Sequence, residues 1–364
     1  MRDPALLKRL QPVLDALLTY FDPVVEGFER LPAEGPYLVV GNHSGGVYMP
    51  DFWAFMQKWL RERGTESPIY SLGFDFTFSL PLIGDFARRT GSVPASHANA
   101  GALLDAGHPV IVYPGGDEDD YRPWSERHRV DLHGRTGFIR LALRHGVPVV
   151  PLVAHGSHDA IIVVTRGEGI ARCLGLEKLR INVMPIVAGP PWGLAPAQVP
   201  TWPLPAKVTA RVCKPIEWSH LGPEAAEDPV VVQRCYEEVL GRMQANLDEL
   251  VEELPHPILA RVSTALGLDR IGVSWRTGAL VMPEPPAAAR GAVRERRRSA
   301  GRASVPRRCR TGPQNRPATQ PNCPVWSAVC AAETGQFAGG ARFARLRPDS
   351  SQVGGSGGLV TQRL

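Results

Sequence analysis

Three short apolar runs, each cut off by glycine or proline, constrain this chain more than any other feature. Tyr37-Leu38-Val39-Val40 is bounded by Gly35-Pro36 and Gly41-Asn42. Pro109-Val110-Ile111-Val112-Tyr113 stops at Pro114-Gly115-Gly116, and the third run is Val147-Pro148-Val149-Val150-Pro151-Leu152-Val153. Runs of this length without polar alternation read as strands buried on both faces. Between the second and third, Thr136 to His145 places Phe138, Ile139, Leu141, Ala142 and Leu143 at helical spacing. Strands alternating with helices build a largely parallel sheet flanked by helices, so an α/β fold is expected. Ligand sites in such sheets gather at the carboxyl ends of strands, which points to the loops after Val40 and Tyr113.

Two amphipathic helices bracket this region. From Ala5 to Phe21, Leu6, Leu7, Leu10, Val13, Leu14, Leu17, Leu18 and Phe21 form one apolar stripe, expected to pack on its own domain. A bilayer is the alternative surface for it, with Lys8 and Arg9 as the only basic pair on the polar face. From Pro229 to Leu254 a longer stripe is closed by Pro255 and Pro257. Beyond about Met282 the composition turns to Pro, Ala, Arg, Gly and Ser with little periodicity, too poor in apolar surface to offset chain entropy. The division expected is a catalytic domain over 1–275, with its motifs in 31–216, and a disordered tail over 276–364.

Charge divides at the same place. Fourteen Arg and three acids lie from Arg290 onward, which leaves 27 basic and 33 acidic residues upstream, so the body is acidic and the tail alone basic. The tail's arginine clusters have no aromatic residues among them, and no nucleic-acid partner is expected. Arginine without lysine beside Pro, Gly and scattered Cys is also what a GC-rich gene yields out of frame. Six cysteines without a CxxC pair favour free thiols in a reducing cytoplasm. No stretch of about 18 apolar residues occurs, so membrane contact is expected to be peripheral, at the cytoplasmic membrane.

The loop Gly41-Asn42-His43-Ser44-Gly45-Gly46-Val47-Tyr48-Met49-Pro50-Asp51 comes directly after a strand and offers an imidazole and a carboxylate that can fold back on each other. A hydroxyl attacking a thioester must lose its proton. Imidazole suits that task when a carboxylate fixes its tautomer and steadies the imidazolium, which would make His43 the base and Asp51 the orienter. Residues of these types in one loop are also ordinary hydrogen-bonding residues.

Three pieces resemble, in order and spacing, the first three sequence blocks of the glycerolipid and lysophospholipid acyltransferase family: Asn42-His43 to Asp51, Pro81 to Pro94 with Arg88-Arg89-Thr90-Gly91, and Val112-Tyr113-Pro114-Gly115-Gly116. Gly146 to Val153 is similar to its fourth. The resemblance implies transfer of a fatty acyl group from acyl-CoA to a hydroxyl of a lipid-like acceptor, with no cofactor beyond that co-substrate and no metal. It implies His43 and Asp51 as the catalytic pair. The substrate-binding positions implied are Ser44, Gly45 and Gly46, Arg88 or Arg89, Pro114, Gly115 and Gly116, and Arg122. Consecutive glycines agree with that role, because they let backbone N–H groups approach a phosphate or oxyanion.

The departures carry information too. Seven residues separate His43 from Asp51 where the family has four. The third block continues as Asp117-Glu118-Asp119-Asp120 where the family has Thr-Arg, and Arg122 is the first arginine after it. The Pro-Gly-Gly form looks more like the branch of diacylglycerol acyltransferases. Four adjacent carboxylates would repel a phosphate, which favours a neutral acceptor. Arg129 and Arg135 are further candidates for the donor's phosphates. Two readings from other classes stand beside this one: a metal-dependent hydrolase built on His155, His158 and Asp159, and a lipid-binding protein without catalysis.

Overall fold

The computed structural model describes residues 2–175 and 183–268; the expectation of a disordered tail falls outside them. The chain forms strands β1 (Val24–Glu26), β2 (Leu38–Gly41), β3 (Tyr70–Gly73), β4 (Ser92–Pro94), β5 (Val110–Val112), β6 (Val149–His155), β7 (Ile162–Thr165), β8 (Ile186–Gly189), β9 (Gly193–Pro196) and β10 (Thr209–Val212). The helices are α1 (Pro4–Leu18), α2 (Pro50–Glu62), α3 (Asp75–Ser79), α4 (Pro81–Thr90), α5 (His97–Asp105), α6 (Gly116–Asp120), α7 (Gly137–His145), α8 (Glu168–Cys173), α9 (Pro229–Glu253) and α10 (Pro257–Ala265).

Seven strands make the main sheet in the order β1-β10-β6-β2-β5-β3-β4, and β7, β8 and β9 make a smaller antiparallel one. From β4 to β6 every neighbouring pair is parallel; β10 then runs antiparallel to β6, and β1 lies parallel to β10. The expected α/β sheet is therefore present, with two reversed strands, β10 and β1, at one edge.

Alternation along the strands divides the core in two. Leu38, Val40, Val110, Val112, Val149 and Val153 pack against α7 and α9 through Phe138, Ile139, Val239 and Met243. Val39, Ile111, Val150 and Leu152 face the other way, onto Phe55 and Trp59 of α2. β2, β5 and β6 are buried throughout, which is why they read as continuous apolar runs.

Helix starts obey local chemistry. The Asp3 side chain accepts from the Leu6 N–H ahead of Pro4, and Asp228 accepts from Val230 and Val231 ahead of Pro229. α1 packs on α2, but its stripe is covered only in part: Leu7 and Leu18 are buried while Val13 and Leu17 are exposed.

Candidate active site

Because β5, β2 and β6 are adjacent and parallel, the loops after Val112, Gly41 and His155 open at one edge of the sheet. Asn42 clamps the first loop to β6: its amide donates to the Ala154 carbonyl at 3.1 Å, and its carbonyl accepts from the Ala154 N–H at 2.8 Å. Gly41 is required by packing, since a Cβ there would lie 2.4 Å from the Tyr113 ring. That ring stands 5.0 Å from the His43 ring, centroid to centroid. Gly45, at φ 90°, and Gly46, at φ 58°, then turn the chain into α2.

The carboxylate in contact with His43 is Asp120, at 3.2 Å from Nδ1, and not Asp51. Asp51 lies in the first turn of α2, buried, and reaches the imidazole through its field. The neighbouring Asp119 accepts the His43 backbone N–H at 2.6 Å, and Asp120 also accepts the Gly46 N–H at 2.8 Å. The carboxylates of α6 thus fix both the backbone and the ring of the loop. With 18% of its side chain exposed, His43 remains reachable.

Burial opposes charge on this ring, but Asp120 foremost, then Asp51 and Asp119, outweigh it and raise the imidazole pKa to about 9. Burial in turn pushes the Asp51 carboxyl up to about 7, against the pull of His43. Ser44 Oγ, Asp51 Oδ1 and Tyr113 Oη are buried without a hydrogen-bond partner among the described residues. Buried polar atoms of this kind invite the polar groups of a ligand.

Three of the four carboxylates of the acidic run are held in internal ion pairs, which weakens the argument against phosphate. Asp119 is ion-paired with Arg122 at 3.0 Å, Asp120 with His43, and Glu118 with Arg135 at 3.0 Å. Arg122 is fully buried, and its Nη2 lies 2.6 Å from His158 Nε2. It braces α6 from within, and the structure does not present it to a ligand. Burial, then Arg122, hold His158 well below the ordinary imidazole range, so its ring is neutral.

The Pro-Gly-Gly turn is likewise filled by the protein itself. A Cβ on Gly115 would lie 2.2 Å from Asp119 Cβ, and one on Gly116 would lie 2.4 Å from Arg135 Nη1. Arg135 donates to the carbonyls of Pro114 and Gly115 at 2.9 and 2.8 Å, so it ties the turn and is not free for a donor phosphate. Of the four glycines expected to bind an oxyanion, Gly46 and Gly116 have their N–H groups committed, to Asp120 and to the Tyr113 carbonyl.

Arg88 and Arg89 are not brought to this edge. They end α4, which runs back toward the amino end of β4 at the sheet's margin. Arg88 donates to the Phe78 carbonyl at 3.1 Å, and Arg89 pairs with Asp3 at 2.8 Å.

The cluster after β6 also differs from expectation. His158 faces Arg122, whereas His155 and Asp159 meet His128, a residue whose sequence context is only a mixed-charge loop. Asp120 stands in the sequence only as one of four adjacent carboxylates. No spacing in the sequence signals either role, because both depend on which strands are neighbours.

An acyltransferase family model matches residues 22–155. An uncharacterised protein of Mycobacterium tuberculosis is 30% identical over 233 residues, which cover 64% of this chain and 63% of the relative. The chain thus spans less than two thirds of the mycobacterial relatives it matches. Phytyl ester synthase 2 of Arabidopsis thaliana is 30% identical over 39% of this chain and 20% of its own length. Diacylglycerol O-acyltransferase 2 of Homo sapiens is 24% identical over 46% and 44%. Among solved structures, the 1-acyl-sn-glycerophosphate acyltransferase PlsC of Thermotoga maritima aligns with TM-score 0.41 and 19% identity, over 69% of this chain and 84% of its own.

Proposed function

We propose, on the acyltransferase family match over residues 22–155, that the chain moves a fatty acyl group from acyl-CoA to a hydroxyl of a glycerolipid or other lipid-like alcohol, with His43 as general base. The observation that carries this reading is the contact of Asp120 with His43 Nδ1, which leaves Nε2 of a reachable ring to take a proton. The acceptor hydroxyl gives its proton to Nε2 as its oxygen attacks the thioester carbonyl. The tetrahedral oxyanion meets N–H groups of the two loops, with Gly45 and Gly115 the glycines whose N–H groups are left for it. As the C–S bond breaks, the imidazolium returns the proton to the coenzyme A sulfur. The ester and free thiol are the products, and Asp120 holds the ring at Nδ1 throughout.

The names of two relatives, phytyl ester synthase and diacylglycerol O-acyltransferase, favour a neutral lipid alcohol as acceptor. Since three of the four carboxylates of the acidic run are held in internal ion pairs, the charge argument against a phosphate-bearing acceptor is weakened, and both classes belong in the assay. No helix among the described residues is long and apolar enough to cross a membrane. Peripheral membrane contact is supported by α4, where Leu82 is 88% exposed and Ile83 and Phe86 are exposed beside it.

The test is incubation of the purified protein with labelled acyl-CoA and a panel of neutral and phosphorylated acceptors, then lipid extraction. We expect a labelled ester that disappears in His43→Ala. A His43→Ala protein that transfers as fast as the wild type overturns the assignment of the base, and absence of any ester across the panel favours a lipid-binding protein.

A further inference from the structure

His128, His155 and Asp159 each offer one ligand atom, and these atoms all lie within 4.8 Å of one another. His155 ends β6, Asp159 sits in the short turn His158–Ala160, and His128 comes just after the turn Trp124–Glu126. His155 Nε2 lies 2.8 Å from the carbonyl of Leu254, the residue that closes α9. Donation there keeps the proton on Nε2 and leaves Nδ1 with its lone pair, the arrangement that metal-ligating histidines adopt.

Two more polar atoms of these three residues lack a partner. His128 Nε2 and Asp159 Oδ2 are buried without hydrogen bonds, and Asp159 as a residue is only 4% exposed. Arg127 is the one cation at the carboxylate among the described residues. Its Nε lies 3.3 Å from Oδ1, and its guanidinium is stacked at 3.6 Å on the Trp124 ring. Asp159 is thereby held on one side and left open on the other. Asp248 of α9 adds a negative charge that His128 feels.

We propose that His128, His155 and Asp159 bind a divalent transition-metal ion of the zinc type, which clamps the loop after Trp124–Glu126 to the end of β6. Two neutral nitrogens and one carboxylate oxygen suit a borderline ion better than magnesium or calcium, which prefer oxygen sets. On a tetrahedral zinc with bonds of about 2.0–2.2 Å the ligand atoms stand roughly 3.4 Å apart, so the cluster closes by no more than about 1.5 Å. His128, half-buried in a loop, supplies that movement. His158 takes no part, because its Nε2 is held by Arg122.

The experiment uses the full chain, stripped with a chelator and dialysed. Zinc ion alone is then added, and the melting temperature and bound metal are measured. We expect one ion per chain and a rise of roughly 5–10 °C at a hundredfold excess over the dissociation constant. The rise should be lost in His128→Gln and in Asp159→Asn. His128→Gln changes a half-buried loop residue and keeps the test intact if Asp159→Asn fails to fold. Cobalt ion in place of zinc should show visible bands without a thiolate charge-transfer band, which separates this site from the chain's six cysteines. No rise in the wild type, or a rise that persists in both variants, overturns the proposal. None of these readouts depends on acyl transfer.

Discussion

Replacing Asp120 with Asn tests the catalytic pair most directly. Asn keeps the shape and an acceptor for the Gly46 N–H, but removes the charge nearest His43 Nδ1. Raising the imidazole from 6.5 to about 9 corresponds to roughly 3 kcal/mol in favour of the charged ring, and Asp120 is the largest favourable contributor. Loss of most of that, about 2 kcal/mol, lowers stabilisation of the imidazolium roughly 30-fold. The Asn amide can also donate to Nδ1 and impose the wrong tautomer; in a serine-protease triad that substitution costs about 10⁴ in kcat. We therefore expect kcat/KM to fall by about 10² to 10⁴ on the alkaline plateau.

The pH at which the comparison is made decides the outcome. A base raised to about 9 is mostly protonated at neutral pH, so wild-type activity should rise with pH on a limb that ends near 9, with the coupled Asp51 spreading it toward 7. In Asp120→Asn burial dominates the ring, and the limb should move to lower pH. At neutral pH this gain in free base partly offsets the lost stabilisation, so only the plateau reports the full effect. The assay is kcat/KM against pH for both proteins, with thermal melts to confirm folding. If Asp120→Asn keeps the wild-type plateau and limb while Asp51→Asn loses both, the orienting acid is Asp51 and this reasoning fails.

The same geometry sets three further outcomes. The folded-state pKa of Asp51, about 7, lies above its ordinary value of 3.8, so its ionisation costs stability that is absent below the lower value and complete above the higher. Asp51→Asn should therefore melt with the wild type at pH 4 and above it at pH 8, and equal melting at both would contradict the assigned burial. Arg122→Met strands the fully buried Asp119 carboxylate and should cost about 3–5 kcal/mol in urea denaturation; a loss under about 1 kcal/mol would show that Arg122 does not brace α6. Leu82→Glu with Ile83→Glu should weaken sedimentation with lipid vesicles while leaving the melting temperature unchanged, and undiminished binding would rule out α4 as the contact face.

Much of the frame is legible because it is written in uninterrupted apolar runs. β2, β5 and β6 are buried on both faces, so Val39, Ile111 and Val150 need no polar alternation, and α7 and α9 carry stripes that match the sheet they cover. The position of His43 obeys the same logic, since a loop after a buried parallel strand must open at its carboxyl end. β3 and β4 are not legible. Tyr70-Ser71-Leu72-Gly73 and Ser92-Val93-Pro94 are short, half-buried and polar in part, and become strands only through hydrogen bonds to each other and to β5.

The partners of the imidazole lie beyond the sequence for a different reason. Within one loop, Asp51 is the carboxylate that spacing offers; Asp119, 76 residues from His43 along the chain, and Asp120 beside it arrive because β5 is hydrogen-bonded beside β2. The same adjacency spends the glycines of the third block on Asp119 and Arg135, buries Arg122, and leaves Arg88 and Arg89 at the sheet's margin. Residue types determined the class of fold and the group able to take a proton. Strand order alone decided which charges surround that group, because fields and hydrogen bonds act through distance in space and are indifferent to separation along the chain.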